Sequence, residues 1–335
     1  MKQHKKRIIN YSKAVNLAKS IIAVKTKKNF PFNKPNIFPD AILPDGIKEG
    51  SKEHELFLFH SISIDSMRQA EEVYKAMREV TNKIGNLNKL ANIKKGHLEN
   101  LLIPHFGNGI KNPKSSMTDP IGTLLFNAKK LEEKCGGDPT LLKTNNVKDT
   151  LKEIAKFRQY GIPKAALLMK NYVKSNIWDF SPYEIPIKVD RHVMRISLGC
   201  GVINTKDYVE ILNGKRKLSI ALRNVKDQLI RMKHYNEEDF NKGKVRIIRS
   251  DRFIIPLTEA YLQVTKEKKI SAIDLDDAFW AIGAKSCKKN DATYCGTFCE
   301  VPCDMRYPSD NNAIYFFLDI DKRRNINQSH FDFMY

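Results

Sequence analysis

Four cysteines near the C-terminus have the residue type and spacing of a metal site. Cys287, Cys295, Cys299 and Cys303 lie within seventeen residues, separated by seven, three and three positions. Four thiolates that converge on one centre are a common ligand set for zinc and for [4Fe–4S] clusters. The N-terminus lacks the sustained apolar region of a secretory signal, so an intracellular protein is expected. In that setting a tight cysteine cluster indicates a metal or iron–sulfur site rather than a disulfide framework.

A second segment with chemical potential is a turn between two predicted helices, within residues 154–173. The first helix is expected to end near Tyr160, Gly161 permits a tight turn, and Pro163 suits the first turn of the next helix. Such a turn exposes backbone N–H groups at a helix N-terminus, which bind phosphate without reading base sequence. By spacing alone, the segment is equally well explained as a plain pair of antiparallel helices.

A third segment delivers a carboxylate to the start of a helix. An apolar segment that contains proline precedes Asp190. A helix is expected to begin there, with Val193 and Ile196 on its apolar face. A carboxylate at this position is either a simple N-cap or, if it faces a cleft, a group placed for chemistry. His192 and Arg195 in the same helix are expected at the protein surface.

Helical periodicity dominates the elements that must position these segments. A long helical pattern runs over 56–84, with Asp65 or Ser66 as the predicted N-cap. Strand patterns are scarce, and the best candidates are 245–248 and 314–317, so a mostly α architecture is predicted. Further helical patterns cover 88–102, 119–134, 147–158, 164–174, 190–199, 205–212, 217–233, 256–268 and 274–286.

The charge balance is the most unusual feature of the composition. The 335 residues include 58 Lys and Arg against 38 Asp and Glu, which gives a formal net charge of +20. Folding does not need this imbalance, and it attracts polyanions, so nucleic acid is the predicted partner. A Lys-rich genome composition is the alternative explanation. The first thirty residues, with nine Lys or Arg and no acid, suit a basic arm or a short helix on a polyanion.

Size and hydropathy exclude several classes of protein. The chain is long enough for two modest cores. Hydrophobic residues make up 41% and the mean hydropathy is −0.46. No apolar run approaches the roughly 20 residues that span a bilayer, so no membrane partner is expected. Collagen-like, coiled-coil and low-complexity classes are excluded as well.

The three segments, in this order, resemble the helix-hairpin-helix DNA glycosylase superfamily, most closely its endonuclease III branch with a C-terminal iron–sulfur loop. The family's hairpin Leu-Pro-Gly-Val-Gly-Arg-Lys-Thr-Ala has a counterpart in Gly161-Ile-Pro-Lys-Ala-Ala, and its Val-Asp-x-His-x-x-Arg in Val189-Asp-Arg-His-Val-Met-Arg. The similarity covers 155–200 and 274–303. The second glycine of the hairpin is absent, and the family's cysteine spacing is six, two and five. An insert over 174–188 is closer to archaeal 8-oxoguanine glycosylases.

The resemblance implies two helical domains that flank a DNA-binding cleft. A basic arm and Pro-rich connection (1–55) would precede a helical domain over 56–185, which carries the helix-hairpin-helix, and a second helical domain over 186–335. The implied activity is excision of a damaged or mismatched base, flipped out of the duplex into the cleft. The implied cofactor is a [4Fe–4S] cluster, with Zn as the alternative. Double-stranded DNA with a damaged base is the implied partner of a monomeric protein in the cytoplasm, nucleoid or nucleus.

The resemblance also assigns roles to individual residues. Asp190 would stay ionised and stabilise the oxocarbenium character of the departing sugar or help deprotonate the nucleophile. If one hairpin residue is deleted, Lys164 occupies the position of the family's lyase nucleophile, which forms a Schiff base with the sugar. Without that gap Ala165 occupies it, and the enzyme would be a monofunctional glycosylase that uses water. A non-catalytic DNA-binding protein of the same fold is the remaining alternative. The implied DNA contacts are Gly161, Ile162, Pro163, Lys188 and His192.

Overall fold

The computed structural model describes residues 9–28, 31–34, 37–66, 68–113, 119–203, 209–211, 245–249, 253–286, 314–319 and 330–333. The chain divides into two compact units. Unit 1 comprises Met1–Asn33, Val189–Lys268 and Asp274–Tyr335, and unit 2 comprises Lys34–Lys188 and Lys269–Ile273.

Helices dominate the described part of the chain, so the predicted mostly α class is confirmed. The ten α-helices in that part are α1 (Tyr11–Thr26), α2 (Lys52–Ile64), α3 (Ala70–Ile84), α4 (Lys95–Phe106), α5 (Pro120–Cys135), α6 (Val147–Ile154), α7 (Ile162–Lys174), α8 (Arg191–Gly199), α9 (Ile254–Lys268) and α10 (Ala272–Ala281), the last followed by a π-helix (Ile282–Ser286). Within the described residues, no helix is both long and apolar enough to cross a bilayer.

Within the described residues of unit 1, four strands form one sheet. They are β1 (Val209–Ile211), β2 (Val245–Arg249), β3 (Ile314–Asp319) and β4 (His330–Phe333), in the order β1-β2-β3-β4. The β2–β3 pair is parallel and the two outer pairs are antiparallel. The predicted strands at 245–248 and 314–317 are therefore confirmed. The helix predicted over 205–212 is wrong at β1, because antiparallel pairing with β2 decides the conformation there and local periodicity does not.

Helix α2 is the centre of unit 2. It begins at the N-cap Ser51, whose hydroxyl accepts a hydrogen bond from His54 N. Every side chain over the stretch 56–64 is buried, because α3, α5 and α7 all pack against this helix. A helix without a continuous polar stripe is stable only inside a core. Its C-terminal turn, which ends at Ile64, therefore presents backbone carbonyls to neighbouring helices.

The connection between α2 and α3 differs from the sequence-based prediction. The N-cap position of α3 is Gln69, whose side chain makes no capping hydrogen bond, and not Asp65 or Ser66. The Arg68 guanidinium donates to Ile64 O at 3.2 Å and to Ser66 O at 3.0 Å. Arg68 thus supplies a hydrogen-bond donor to carbonyls that lack a helical partner at the end of α2. Helix α2 therefore ends before α3 begins. Ser66 and Asp65 are consequently available for contacts with other elements.

Helices α6 and α7 form the predicted helical pair, with a longer turn than expected. Helix α6 ends at Ile154, six residues before the predicted end at Tyr160. Helix α7 has Pro163 in its first turn, as predicted, and Gly161 stands at its N-cap. Gly161 has a φ of −97°, which any residue adopts, and the left-handed residue of the turn is Gln159, with a φ of 66°. The chain reversal therefore depends on Gln159 rather than on Gly161.

Unit 1 joins the N-terminal helix to the C-terminal half of the chain. Helix α1 packs on α9, and Tyr11 Oη donates to Glu267 Oε2 at 2.7 Å. The basic segment 1–30 therefore contributes a helix whose apolar face belongs to a core. Helix α8 packs on the π-helix that follows α10.

Candidate active site around Lys164

Lys164 projects from the first turn of α7 against the C-terminal turn of α2. Its Nζ lies 3.0 Å from Ser63 O and 2.7 Å from Ser66 Oγ, and donates a hydrogen bond to each. Ser63 is fully buried and Ser66 is 9% exposed. The amine of Lys164 is thus held by two oxygen acceptors from one turn of chain about a hundred residues earlier.

The surroundings of Lys164 favour the neutral amine. Although the residue as a whole is half-buried, protein atoms surround its amino group, and this desolvation lowers the pKa of Lys164 to about 7. The positive charges of Lys188 and Arg68 lower the pKa further, and the carboxylate of Asp65 opposes them. A large fraction of Lys164 is therefore a nucleophilic amine at neutral pH, whereas an exposed lysine is almost wholly protonated.

The carboxylate of Asp65 is shared with a second lysine. Lys188 Nζ lies 3.5 Å from Asp65 Oδ2, and both side chains are largely buried, with 17% and 11% of their surface exposed. For Lys164, the carboxylate of Asp65 raises the pKa and so partly offsets the lowering by desolvation. The predicted DNA contact Lys188 is thereby placed next to the amine of Lys164.

A hydrogen-bond chain extends from Lys164 through Ser66 to Gln159. Ser66 Oγ donates to Gln159 Oε1 at 3.3 Å and accepts from Lys164 Nζ at 2.7 Å. Gln159 is one of four described residues other than glycine with a positive φ. Such residues are uncommon and are worth a functional explanation where they contact a site.

Asp190 is the N-cap of α8 in unit 1. Its Oδ1 accepts hydrogen bonds from His192 N at 2.8 Å and from Val193 N at 3.2 Å. The N-cap interpretation of this residue is therefore confirmed. These two backbone donors orient the half-buried carboxylate of Asp190 at the N-terminus of α8. Its catalytic role stays a prediction.

The surface positions predicted for His192 and Arg195 are wrong, because both side chains are buried, at 9% and 8% exposure. Arg195 Nη2 donates to Gly283 O in the π-helix and lies 3.3 Å from His192 Nδ1. The packing of α8 on the π-helix covers both side chains. The DNA contact implied for His192 by the resemblance stays a prediction.

The remaining hairpin residues lie at the start of α7. Gly161 is exposed, and Ile162 and Pro163 are half-buried. A side chain at position 161 would meet only the Pro163 ring, at 3.8 Å, so the backbone there stays accessible. The DNA contacts predicted for Gly161, Ile162 and Pro163 would therefore be made at the same helix turn that carries Lys164. Ala165, the alternative occupant of the nucleophile position, is fully buried inside α7.

The predicted metal ligands Cys287, Cys295, Cys299 and Cys303 lie outside the described residues, so the cluster stays a prediction. Within the described ranges, no group of three or more His, Cys, Asp or Glu side chains could hold a metal ion. Cys135 and Cys200 are both buried.

Ser66, Gln159 and Arg68 are partners of the site that the sequence did not predict. A serine and a glutamine in connections between helices carry no distinctive spacing, and Ser66 was assigned to capping. Among the aromatic residues of the insert, Trp178 is 3% exposed and packs edge-on against Tyr172. It therefore belongs to the core of unit 2.

No protein-family model matches this chain, and no curated protein matches it.

Proposed function

We propose that this protein is a DNA repair glycosylase with associated lyase activity, in which Lys164 is the amine nucleophile. One observation carries the proposal. The amine of Lys164 is held by Ser63 O and Ser66 Oγ in surroundings that desolvate it, and this burial lowers the pKa of Lys164 to about 7. An amine with these properties forms covalent imines with carbonyl and sugar carbons, whereas a surface lysine does so poorly.

The proposed reaction begins with attack of the Lys164 amine on C1′ of the damaged nucleotide. The glycosidic bond breaks, and the base leaves with the bonding electron pair. Transfer of a proton from Nζ to the ring oxygen O4′ then breaks the C1′–O4′ bond and produces a protonated imine between Nζ and C1′. Removal of a C2′ proton expels the 3′ phosphate by β-elimination. The carboxylate of Asp190 is proposed to stabilise the positive charge that develops on the sugar, which needs an oriented and partly desolvated group.

The charge of the protein supports a polyanionic substrate. The net charge of +20 would give salt-sensitive affinity for DNA, because each neutralised phosphate releases counterions. Next to Lys164, Lys188 and Arg68 add positive charge at the start of α7. A phosphate of the target strand would therefore be attracted to the same place as the nucleophile.

The test is covalent trapping on DNA. The full chain is incubated with duplexes that each carry one lesion, in the presence of borohydride, which reduces an imine to a stable amine. We expect a covalent adduct on at least one lesion, and we expect its loss in Lys164→Gln. Lys174→Gln, at the exposed end of the same helix, is the matched control and should retain trapping.

Two other outcomes would contradict the proposal in different ways. Alkali-labile abasic sites without an adduct, dependent on Asp190, would leave a glycosylase that uses water and would remove the lyase activity. Absence of both adduct and abasic sites across oxidised, alkylated and mismatched bases would refute the glycosylase altogether.

A further inference from the structure

We propose that Ser66 and Gln159 are positioning residues that aim the lone pair of the Lys164 amine at its target. The inference rests on the proposed function in taking Lys164 as the nucleophile. It concerns groups that the mechanism above does not use, and it depends on hydrogen-bond directions around one nitrogen atom.

A neutral primary amine has two hydrogens and one lone pair. Lys164 Nζ has two acceptors, Ser63 O at 3.0 Å and Ser66 Oγ at 2.7 Å. When both hydrogens are donated to these oxygens, the lone pair points in the remaining tetrahedral direction. Nucleophilic attack requires this lone pair, so the two acceptors pre-orient the reactive orbital before substrate binds.

The hydroxyl of Ser66 must act as an acceptor for this arrangement to hold. A serine hydroxyl has one hydrogen and can also donate it. If it donated to Lys164, it would occupy the amine lone pair and block attack. Gln159 Oε1, 3.3 Å from Ser66 Oγ, accepts the hydroxyl hydrogen instead. The direction of the Ser66–Lys164 hydrogen bond is thus set by Gln159, which does not itself contact the amine.

The backbone of Gln159 supports a specific role for its side chain. Gln159 has a φ of 66°, a left-handed conformation that glycine adopts more easily. The residue stands two positions before Gly161, which has an ordinary φ of −97°. The glutamine therefore occupies the strained position of the turn, and its amide reaches Ser66 from there.

The oriented amine would react with any accessible aldehyde as well as with DNA. The nitrogen lone pair forms a bond to the carbonyl carbon while the π pair moves to oxygen. Loss of water then produces an imine, and cyanoborohydride supplies the hydride that reduces it to a secondary amine. This reaction needs no base excision, so it measures the amine independently of the proposed function.

The experiment compares variants in labelling by formaldehyde with cyanoborohydride, followed by peptide mapping of Lys164 between pH 6 and 9. We expect Ser66→Ala and Gln159→Leu to lower the plateau rate at high pH by about tenfold, the effect of one lost orienting interaction. Ser66→Thr keeps the hydroxyl and should retain the rate. Gln69→Leu, a change at the exposed glutamine at the N-cap position of α3, is the matched control.

Gln159→Glu separates orientation from general packing. A glutamate keeps the acceptor oxygen, so the plateau rate should be retained. Its negative charge should move the midpoint of the pH profile upward, because a nearby anion stabilises the ammonium form. The plateau rate is therefore the readout of orientation, because an anion close to Lys164 raises the midpoint whatever the role of Gln159.

The outcomes distinguish the inference from the function on which it rests. Unchanged plateau rates in both Ser66→Ala and Gln159→Leu would overturn the inference. If either variant fails to fold, the plateau rate of Gln159→Glu still decides it. Labelling that depends on Ser66 and Gln159, combined with no adduct on any DNA lesion, would support the orientation of the amine and refute the glycosylase.

Discussion

Gly283 packs so closely on His192 that a Cβ built at position 283 would lie 2.5 Å from the His192 Cβ. This contact joins α8, which begins after Asp190, to the π-helix that precedes the cysteine-rich segment. The same π-helix accepts a hydrogen bond at Gly283 O from the buried Arg195. The orientation of α8, and with it the carboxylate of Asp190, therefore depends on a glycine almost a hundred residues later.

Substitution of this glycine should destabilise unit 1. In Gly283→Ala the added methyl cannot be accommodated without displacing α8, and overpacking of this kind costs roughly 1–3 kcal/mol. Urea unfolding of the full chain measures the loss. Gly96→Ala is the control, because nothing lies within 4 Å of a Cβ at this position in α4. It should be neutral or slightly stabilising, and an equal loss in both variants would contradict the packing argument.

The buried amine of Lys164 should make stability depend on pH in a defined direction. Its pKa is about 7 in the folded protein and 10.5 in the unfolded chain. Between these values the unfolded state binds more protons, so the free energy of unfolding should rise with pH. The loss of stability caused by the lowered pKa of Lys164 is fully present below pH 7 and absent above pH 10.5.

Comparison with Lys164→Met isolates this contribution. The stability difference between the variant and the wild type should favour the variant most near pH 6 to 7 and should change steadily toward pH 9. Urea unfolding at four pH values across that range measures it. A difference that stays constant with pH would contradict the lowered pKa of Lys164.

Neighbouring charges should move the reactivity of Lys164 in opposite directions. Lys188→Gln removes a cation that lowers the pKa of Lys164, so the pH midpoint of aldehyde labelling should rise. Asp65→Asn removes the opposing carboxylate, so the midpoint should fall. Shifts in the same direction in both variants would show that burial of the amine, rather than these charges, had changed.

Two substitutions at Asp190 should separate capping from chemistry. Asp190→Asn keeps an oxygen that can accept from His192 N and Val193 N, so stability should be nearly retained. Asp190→Ala should cost about 1 kcal/mol, the usual effect of a lost N-cap. Both should abolish base excision if the carboxylate charge is required. Full excision by Asp190→Asn would limit the residue to capping.

The cysteine cluster predicts a measurable metal content. Protein purified without oxygen should contain about four iron atoms per chain, as expected for one [4Fe–4S] cluster. Cys299→Ala should lower that content, and Cys135→Ala, at a free buried thiol, is the control. One zinc atom in place of iron would favour the alternative metal. A metal-free protein that folds normally would refute the site.

The sequence was informative wherever local chemistry determines structure. The helical patterns over 119–134, 147–158 and 190–199 predicted the starts of α5, α6 and α8 to within a residue, and the structure shows side-chain caps at Asp119, Asn146 and Asp190 there. Each cap is a bond between residues two or three positions apart, so its pattern is visible in the sequence. The strands at 245–248 and 314–317 were also predicted from the local sequence pattern.

The sequence could not predict which side chains become buried in a neighbouring element. His192 and Arg195 are polar residues of types that are usually exposed, yet the packing of α8 on the π-helix buries both. The segment 205–212 has a helical pattern, yet it contains a strand because β2 pairs with it. In each case the deciding partner lies far along the chain, so local periodicity carries no information about it.

Lys164 illustrates the difference between what the sequence determines and what the tertiary structure decides. The sequence by itself determined that a lysine stands in the first turn of a helix after a glycine, a position that suits many unrelated lysines. Only the tertiary structure decided its chemistry, since Ser63 and Ser66 approach it from 101 and 98 residues away. Desolvation and hydrogen-bond direction depend on the residues that the fold places around the amine. The pKa of Lys164 is therefore lowered toward 7 only when α2 and α7 pack together.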